Sequence, residues 1–88
     1  MLKKELKITN KTGLHARPAA MLVKTTGKFK SDIYLSKDGY EVNGKSIMGV
    51  MTLAAESGST LEVRIEGEDE REAMAALEEL ISNNFFEN

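Results

Sequence analysis

Thr60-Leu61-Glu62-Val63-Arg64-Ile65-Glu66 alternates apolar and polar residues without a break. A period of two puts Leu61, Val63 and Ile65 on one face of an extended chain and Glu62, Arg64 and Glu66 on the other. Such a strand belongs to a sheet with one face on a core and one face in water, the habit of antiparallel sheets. Other stretches repeat the pattern. Over residues 2–9, Leu2, Leu6 and Ile8 share a face opposite Lys3, Glu5, Lys7 and Thr9. Ile33 and Leu35 do so over 31–36, and Val42 points inward over 40–43. Asp38-Gly39 between the last two is a hairpin-turn signal.

The intervening stretches read as helices. The first opens within Thr12-Gly13-Leu14-His15-Ala16-Arg17-Pro18-Ala19-Ala20 and continues through Met21-Leu22-Val23 to a C-terminal glycine near Gly27. Its small-residue face is Ala19, Ala20, Leu22, Val23 and Thr26. A short second helix runs from Ile47 to about Leu53, capped by Ser46 and weakened by Gly49. The third starts at a capping box of Asp69 with Glu72 and ends near Asn83-Asn84. Ala73, Met74, Ala76, Leu77, Leu80 and Ile81 form its apolar stripe. Phe85 and Phe86 follow it, either folded back on the core or exposed. The order is β-α-β-β-α-β-α. It predicts an α+β fold: an open-faced two-layer sandwich, with a four-stranded antiparallel sheet and three helices on one face. Residues 1–88 are expected to form one domain, without repeat, linker or low-complexity tract.

Composition narrows the function. A net charge of −2 and a pI of about 5.4 argue against a dedicated nucleic-acid binder. So do only five aromatic residues, with no aromatic pair on a central strand to stack bases. With one histidine and no cysteine, neither a disulfide nor a metal cluster is expected, and no cofactor is implied. The start lacks the apolar segment of a signal peptide. No run approaches the roughly 20 apolar residues of a membrane span. The expected location is the cytoplasm, with no membrane insertion and no direct nucleic-acid contact. The first 44 residues carry nine basic and four acidic groups, and the remainder carries three and ten. A basic surface steers acidic partners and phosphorylated donors, although most charge clusters are only solvated faces.

The only histidine and the only proline lie in the 12–20 stretch. Gly13 permits a sharp turn, and Pro18 suits the first turn of a helix, where N–H groups have no partner in any case. The residue before a proline is biased away from helical angles, so Arg17 is expected to begin the helix imperfectly. His15 then sits at a helix N-terminus. The amides of Ala16 and Arg17 would point outward there, and the partial positive charge of the helix end favours an anion. Arg17 adds a fixed cation. The imidazole, with an ordinary pKa of about 6.5, offers a nucleophilic nitrogen near neutrality. The helix end and Arg17 favour the neutral ring, and would neutralise a phosphoryl group once it is attached. A histidine that accepts and passes on a phosphoryl group follows. The plainer explanation is a cap or a surface residue, the usual role of a single histidine near a helix start.

Gly13-Leu14-His15-Ala16-Arg17-Pro18-Ala19 resembles the active-site signature of the HPr family, the histidine-containing phosphocarrier proteins of the bacterial sugar phosphotransferase system. Lys45-Ser46-Ile47-Met48-Gly49-Val50-Met51 resembles the regulatory serine segment of HPr from Gram-positive bacteria. The two motifs lie at the family's spacing, and the similarity runs through essentially the whole chain. Ala20 stands where threonine is common, and Gly44 stands where a larger residue is common and is expected to loosen the approach to Ser46.

The resemblance implies the same open-faced sandwich and a carrier rather than an enzyme. Enzyme I, charged by phosphoenolpyruvate, would phosphorylate His15 on Nδ1, and phospho-His15 would donate to the EIIA domains of sugar permeases. Arg17 and the Ala16 amide would hold the phosphoryl oxygens. Ser46 would be phosphorylated by HPr kinase/phosphorylase, and the product would serve as corepressor for the catabolite control protein regulator in carbon catabolite repression. Ser46 also has a purely structural use as a helix cap, worth about 1 kcal/mol. Thr12, Pro18, Ala20, Lys24, Ile47, Met48 and Met51 would form the partner-docking surface. Ile47, Met48 and Met51 have the spacing of a core-packing set as well. Our expectation is that Met48 and Met51 are exposed, and that Val50 and Leu53 are buried. The competing reading is a regulatory binding module that acts through phospho-Ser46, with His15 incidental.

Overall fold

The computed structural model describes residues 1–87. Its elements are β1 (Leu2–Lys7), α1 (Ala16–Thr26), β2 (Asp32–Lys37), β3 (Tyr40–Asn43), α2 (Ile47–Thr52), β4 (Thr60–Glu66) and α3 (Glu70–Ser82). The strands form one antiparallel sheet in the order β1-β4-β2-β3. The most regularly alternating strand, β4, is therefore internal. Its Leu61 faces Leu6 of β1, while its Val63 and Ile65 face Leu35 and Ile33 of β2. Leu61, Val63, Ile65, Ile33 and Leu35 are all buried. Ala19 and Leu22 of α1, Val50 of α2, and Ala73, Met74, Leu77, Leu80 and Ile81 of α3 complete the core. Burial of each larger side chain stabilises the fold by about 1.5–3 kcal/mol.

The other face of the sheet is open and polar. The Arg64 guanidinium lies 4.3 Å from the centre of the Tyr34 ring and bonds Glu41 at 3.0 Å. Lys4 has the inward parity of edge strand β1. Its ammonium reaches Glu78 of α3 at 2.9 Å. The β2–β3 hairpin turns at Asp38 (φ 51°) and Gly39 (φ 82°), the two left-handed residues of a type I′ turn.

Several local expectations are corrected. Gly27 ends α1 at φ −64°, an ordinary helical angle, so no left-handed glycine cap forms. The helix tapers instead through Lys28 N–H to Thr25 O (3.2 Å) and Phe29 N–H to Thr26 O (3.1 Å). The inward face of α1 is Pro18, Ala19, Leu22 and Thr26, while Ala20 is exposed and Val23 half-buried. Asp69 precedes α3 but caps nothing with its side chain. Its carboxylate accepts bonds from the Lys30 and Ser31 amides, both at 2.9 Å, and from the Ser31 hydroxyl. The Ser31 hydroxyl first, then the Lys30 amide, lowers the Asp69 pKa to about 2. Glu70, not Glu72, turns back to accept the Gly67 amide at 3.1 Å.

Gly44 tightens the approach to α2 rather than loosening it. Its N–H donates to Ile33 O at 2.7 Å and its carbonyl accepts the Thr26 hydroxyl at 2.8 Å. A Cβ there would lie 2.7 Å from Ile33 Cγ2, so a larger residue requires Ile33 to shift. The two final phenylalanines divide: Phe85 is buried in the core and Phe86 is exposed.

Candidate functional site

The α1 N-terminus is assembled by a turn pinned from three sides. The Asn10 side chain, 1% exposed, donates through Nδ2 to Gly13 O at 2.9 Å. Gly13 N–H returns a longer bond to Asn10 O at 3.3 Å, and Leu14 N–H donates to Ala55 O at 2.8 Å. Gly13 has φ +66°, and any Cβ on it would collide with the backbone of Ala55 and Glu56. Glycine is therefore demanded twice, by conformation and by space. Leu14 is buried, and the next residue emerges at the surface.

That residue is His15. It occupies the N-cap position with an extended backbone (φ −74°, ψ −176°), and its carbonyl accepts the Ala19 amide at 2.9 Å. Its side chain makes no capping bond. The ring is exposed and has no hydrogen-bond partner among the described residues. The first amides of a helix lack intrahelical acceptors. Pro18 has no N–H, so the free donors of this helix end are those of Ala16 and Arg17. The helix includes Arg17 despite the following proline. The Arg17 side chain is exposed and forms no ion pair among the described residues. A nucleophilic ring, two outward amides and an unpaired guanidinium thus stand together at a positive helix end.

An open cleft of about 420 Å³ adjoins the ring, lined by Leu14, His15, Ala16, Met51, Ala54, Ala55 and Glu56. Ala54 holds φ 49°, a costly angle for a residue with a Cβ. Among the described residues there is no His/Cys/Asp/Glu group that could hold a metal, and no helix long and apolar enough to cross a membrane.

The comparisons with known proteins agree with this geometry. The family described as PTS HPr component phosphorylation site matches residues 2–83. The phosphocarrier protein HPr of Xylella fastidiosa (strain Temecula1) is 59% identical over 88 residues, covering 100% of this chain and 99% of that protein. The chain belongs to the HPr family. It is a phosphocarrier protein of the phosphotransferase system and not an enzyme. Among solved structures, HPr-C-His of Thermoanaerobacter tengcongensis superposes with a TM-score of 0.97 at 49% identity, covering 100% of this chain and 99% of that one. The catabolite repression protein Crh of Bacillus subtilis does so with a TM-score of 0.76 at 43% identity, covering 96% and 97%.

HPr proteins work with phosphotransferase-system partners, and the surface around His15 shows what this chain presents. Arg17, Ala20 and Lys24 are exposed along one stripe of α1. Beside it, α2 exposes Ile47 (40%), Met48 (73%) and Met51 (42%), while Val50 and Leu53 are buried as expected. Thr12 is exposed on the turn. Pro18 is not part of this surface: its ring is buried on the core side of α1. Ser46 caps α2 through its side chain, with Oγ accepting the Gly49 amide at 3.1 Å. Met51 lies in the His15 cleft and Ser46 heads the same helix, about 8 Å further along its axis.

Sequence reasoning missed Ala54, Ala55, Glu56 and Glu87 as neighbours of the site. Glu87 accepts a 2.6 Å bond from the Thr12 hydroxyl, which holds its carboxyl below the ordinary range. No local pattern marks these four. Long-range folding brings each to the turn before α1.

Proposed function

We propose that His15 is the residue that carries the phosphoryl group, in a single domain spanning residues 1–88 that acts in the cytoplasm. A ring nitrogen attacks the phosphorus of phospho-enzyme I. The new N–P bond forms as the bond to the donor breaks, and the reverse step on an EIIA domain returns the ring to its free state. The Ala16 and Arg17 amides and the Arg17 guanidinium neutralise the oxygens as charge moves onto the carrier. The observation that carries the reading is that His15 heads α1 with an exposed and unbonded ring, in front of free donors. The Arg17–Ala20–Lys24 stripe, Thr12 and the Ile47–Met48–Met51 patch form the surface that both partners use. Flexible, polarizable methionines suit one surface that meets unrelated proteins.

Ser46 supports a second, regulatory reading. A phosphate there carries about −1.5 to −2 charge at a helix N-terminus, where the fold tolerates it. Its effect falls on partners, because α2 also carries the docking methionines. HPr kinase/phosphorylase would install it, and the catabolite control protein would read it. The likeness to Crh, a catabolite repression protein, supports this role.

The test is incubation of the chain with phosphoenolpyruvate and catalytic enzyme I, followed by intact-mass analysis. The expected result is one acid-labile phosphoryl group that is absent from a folded His15→Ala variant. A wild-type chain that stays unmodified while a control carrier is charged would replace this reading with the Ser46-only module.

A further inference from the structure

The end of the chain adopts a conformation that phosphoryl carriage leaves unexplained. Asn84, Phe85 and Phe86 follow one another at φ 53°, 55° and 57°. Residues with a Cβ avoid this left-handed region because the Cβ crowds the following carbonyl, and two successive phenylalanines there are unfavourable. Burial and side-chain bonding hold the turn in place. Phe85 is 2% exposed, locked into the core. On either side of it, the Thr9 hydroxyl donates to Asn84 Oδ1 and the Thr12 hydroxyl donates to a Glu87 carboxylate oxygen at 2.6 Å.

Thr9 and Thr12 bracket the loop that leads into His15, so the left-handed turn clips that loop at both ends. Between them lies Asn10, buried, bonded through Nδ2 to Gly13 O and to Thr12 Oγ1. Its Oδ1 has no partner among the described residues. Two of the loop's own bonds are long: Gly13 N–H to Asn10 O at 3.3 Å, and an alternative one from the Thr12 hydroxyl to Gly13 O at 3.4 Å. The bond from Thr12 to Glu87 supplies an external hold. Glu87 also shares a cleft with Lys11, Thr12, Arg17 and Phe86, yet forms no ion pair with Arg17.

We propose that Glu87 is a positioning residue for phosphoryl transfer: by accepting the Thr12 hydroxyl it fixes the Asn10–Gly13 turn, and so aims His15 and the free amides of Ala16 and Arg17. The role rests on His15 being the phosphorylated residue. It needs an acceptor at position 87 and not a charge, because what matters is the bond to Thr12.

The experiment measures phosphoryl transfer from phospho-enzyme I, with amide hydrogen exchange at Gly13 and Leu14, in the full chain and in Glu87→Ala, Glu87→Gln, Thr12→Val and the Thr12→Val/Glu87→Ala double variant. Glu87→Ala is expected to lower kcat about fivefold, the loss of a modest misalignment, with KM little changed. Thr12→Val should lower kcat by a similar factor, any docking effect of Thr12 falling on KM, and the kcat of the double variant should be no lower than that of either, since both remove the same bond. Gly13 exchange should speed up in all three. Glu87→Gln, which still accepts the hydroxyl, should transfer at the wild-type rate. Glu87→Gln as impaired as Glu87→Ala would overturn the proposal in favour of a charge effect. Additive losses, or unchanged transfer and exchange in Glu87→Ala, would overturn it too. A wild-type chain that takes no phosphoryl group would overturn the His15 reading and this role together. A charged wild type with an unimpaired Glu87→Ala would overturn this role alone.

Discussion

Helices α1 and α2 begin in opposite ways. At α2 the Ser46 oxygen accepts the Gly49 amide, so the side chain serves the fold. At α1 the His15 side chain caps nothing, and the Ala16 and Arg17 amides beyond it have no acceptor in the described residues. The Ser46 cap satisfies one orphan donor of α2, the Gly49 amide, so its hydroxyl is engaged with the fold while the His15 ring is free. An uncapped start leaves a positive end open to an anion, and here a nucleophile stands in front of it. The side chain at one helix start serves the fold and the side chain at the other is left free, and Met51 of α2 lines the cleft beside His15.

The contrast can be broken most sharply at His15 itself. His15→Ala should abolish phosphoryl acceptance and change thermal stability by no more than about 0.5 kcal/mol, as for a surface residue without packing partners. A large loss of stability in calorimetry would show that the ring supports the fold after all. Next in size is Arg17→Glu, which should cut the transfer rate about 10- to 100-fold, the worth of a charge-assisted hydrogen bond. Rapid-quench kinetics at near-normal rates would remove Arg17 from the phosphoryl clamp.

Ser46 should respond in the reverse sense. Ser46→Ala should cost about 1 kcal/mol in chemical denaturation while leaving transfer from enzyme I intact. Ser46→Asp keeps a capping oxygen and adds a charge, so it should fold normally but slow charging by about threefold, mostly in KM, as a rim charge acts on encounter. Equal charging rates for Ser46→Asp and wild type would separate the two helix starts completely.

A smaller effect, in acid, distinguishes capping from tethering at the third helix. Asp69 has a pKa of about 2 against an ordinary 3.8. A carboxyl whose pKa is lowered by folding contributes stability above its unfolded value and loses it as pH falls through the folded one. The melting-temperature advantage of wild type over Asp69→Asn should therefore be full above pH 3.8 and shrink toward pH 2. A gap that stays constant through that window would show that the Ser31 and Lys30 bonds carry no charge-dependent stability.

What was legible in the sequence was local. The alternation of Thr60–Glu66 marked a half-buried strand, Asp38-Gly39 marked the β2–β3 hairpin, and Ser46 was readable as a cap because the amide it serves is three residues away. The exposure of Met48 and Met51 came from the family resemblance, since their spacing alone also suits core packing. What escaped depended on contacts across the chain. Asp69 resembled a capping residue until Lys30 and Ser31, just before β2, offered it three donors. Gly44 resembled a loose spot, but the Ile33 side chain and carbonyl make it a tight one. Pro18 was assigned to the docking surface with the rest of the set that the resemblance implies, although its helical position turns it inward. Glu87 meets Thr12 only because Phe85 buries itself and turns the chain back.

The most direct measurement is 31P and 15N NMR of the uniformly 15N-labelled chain after charging with phosphoenolpyruvate and enzyme I. The account predicts a single phosphohistidine signal, with the His15 nitrogens shifted and the Ala16 and Arg17 amides moving as they take up the phosphoryl oxygens. A phosphoryl signal with the His15 ring and those two amides unmoved would contradict it.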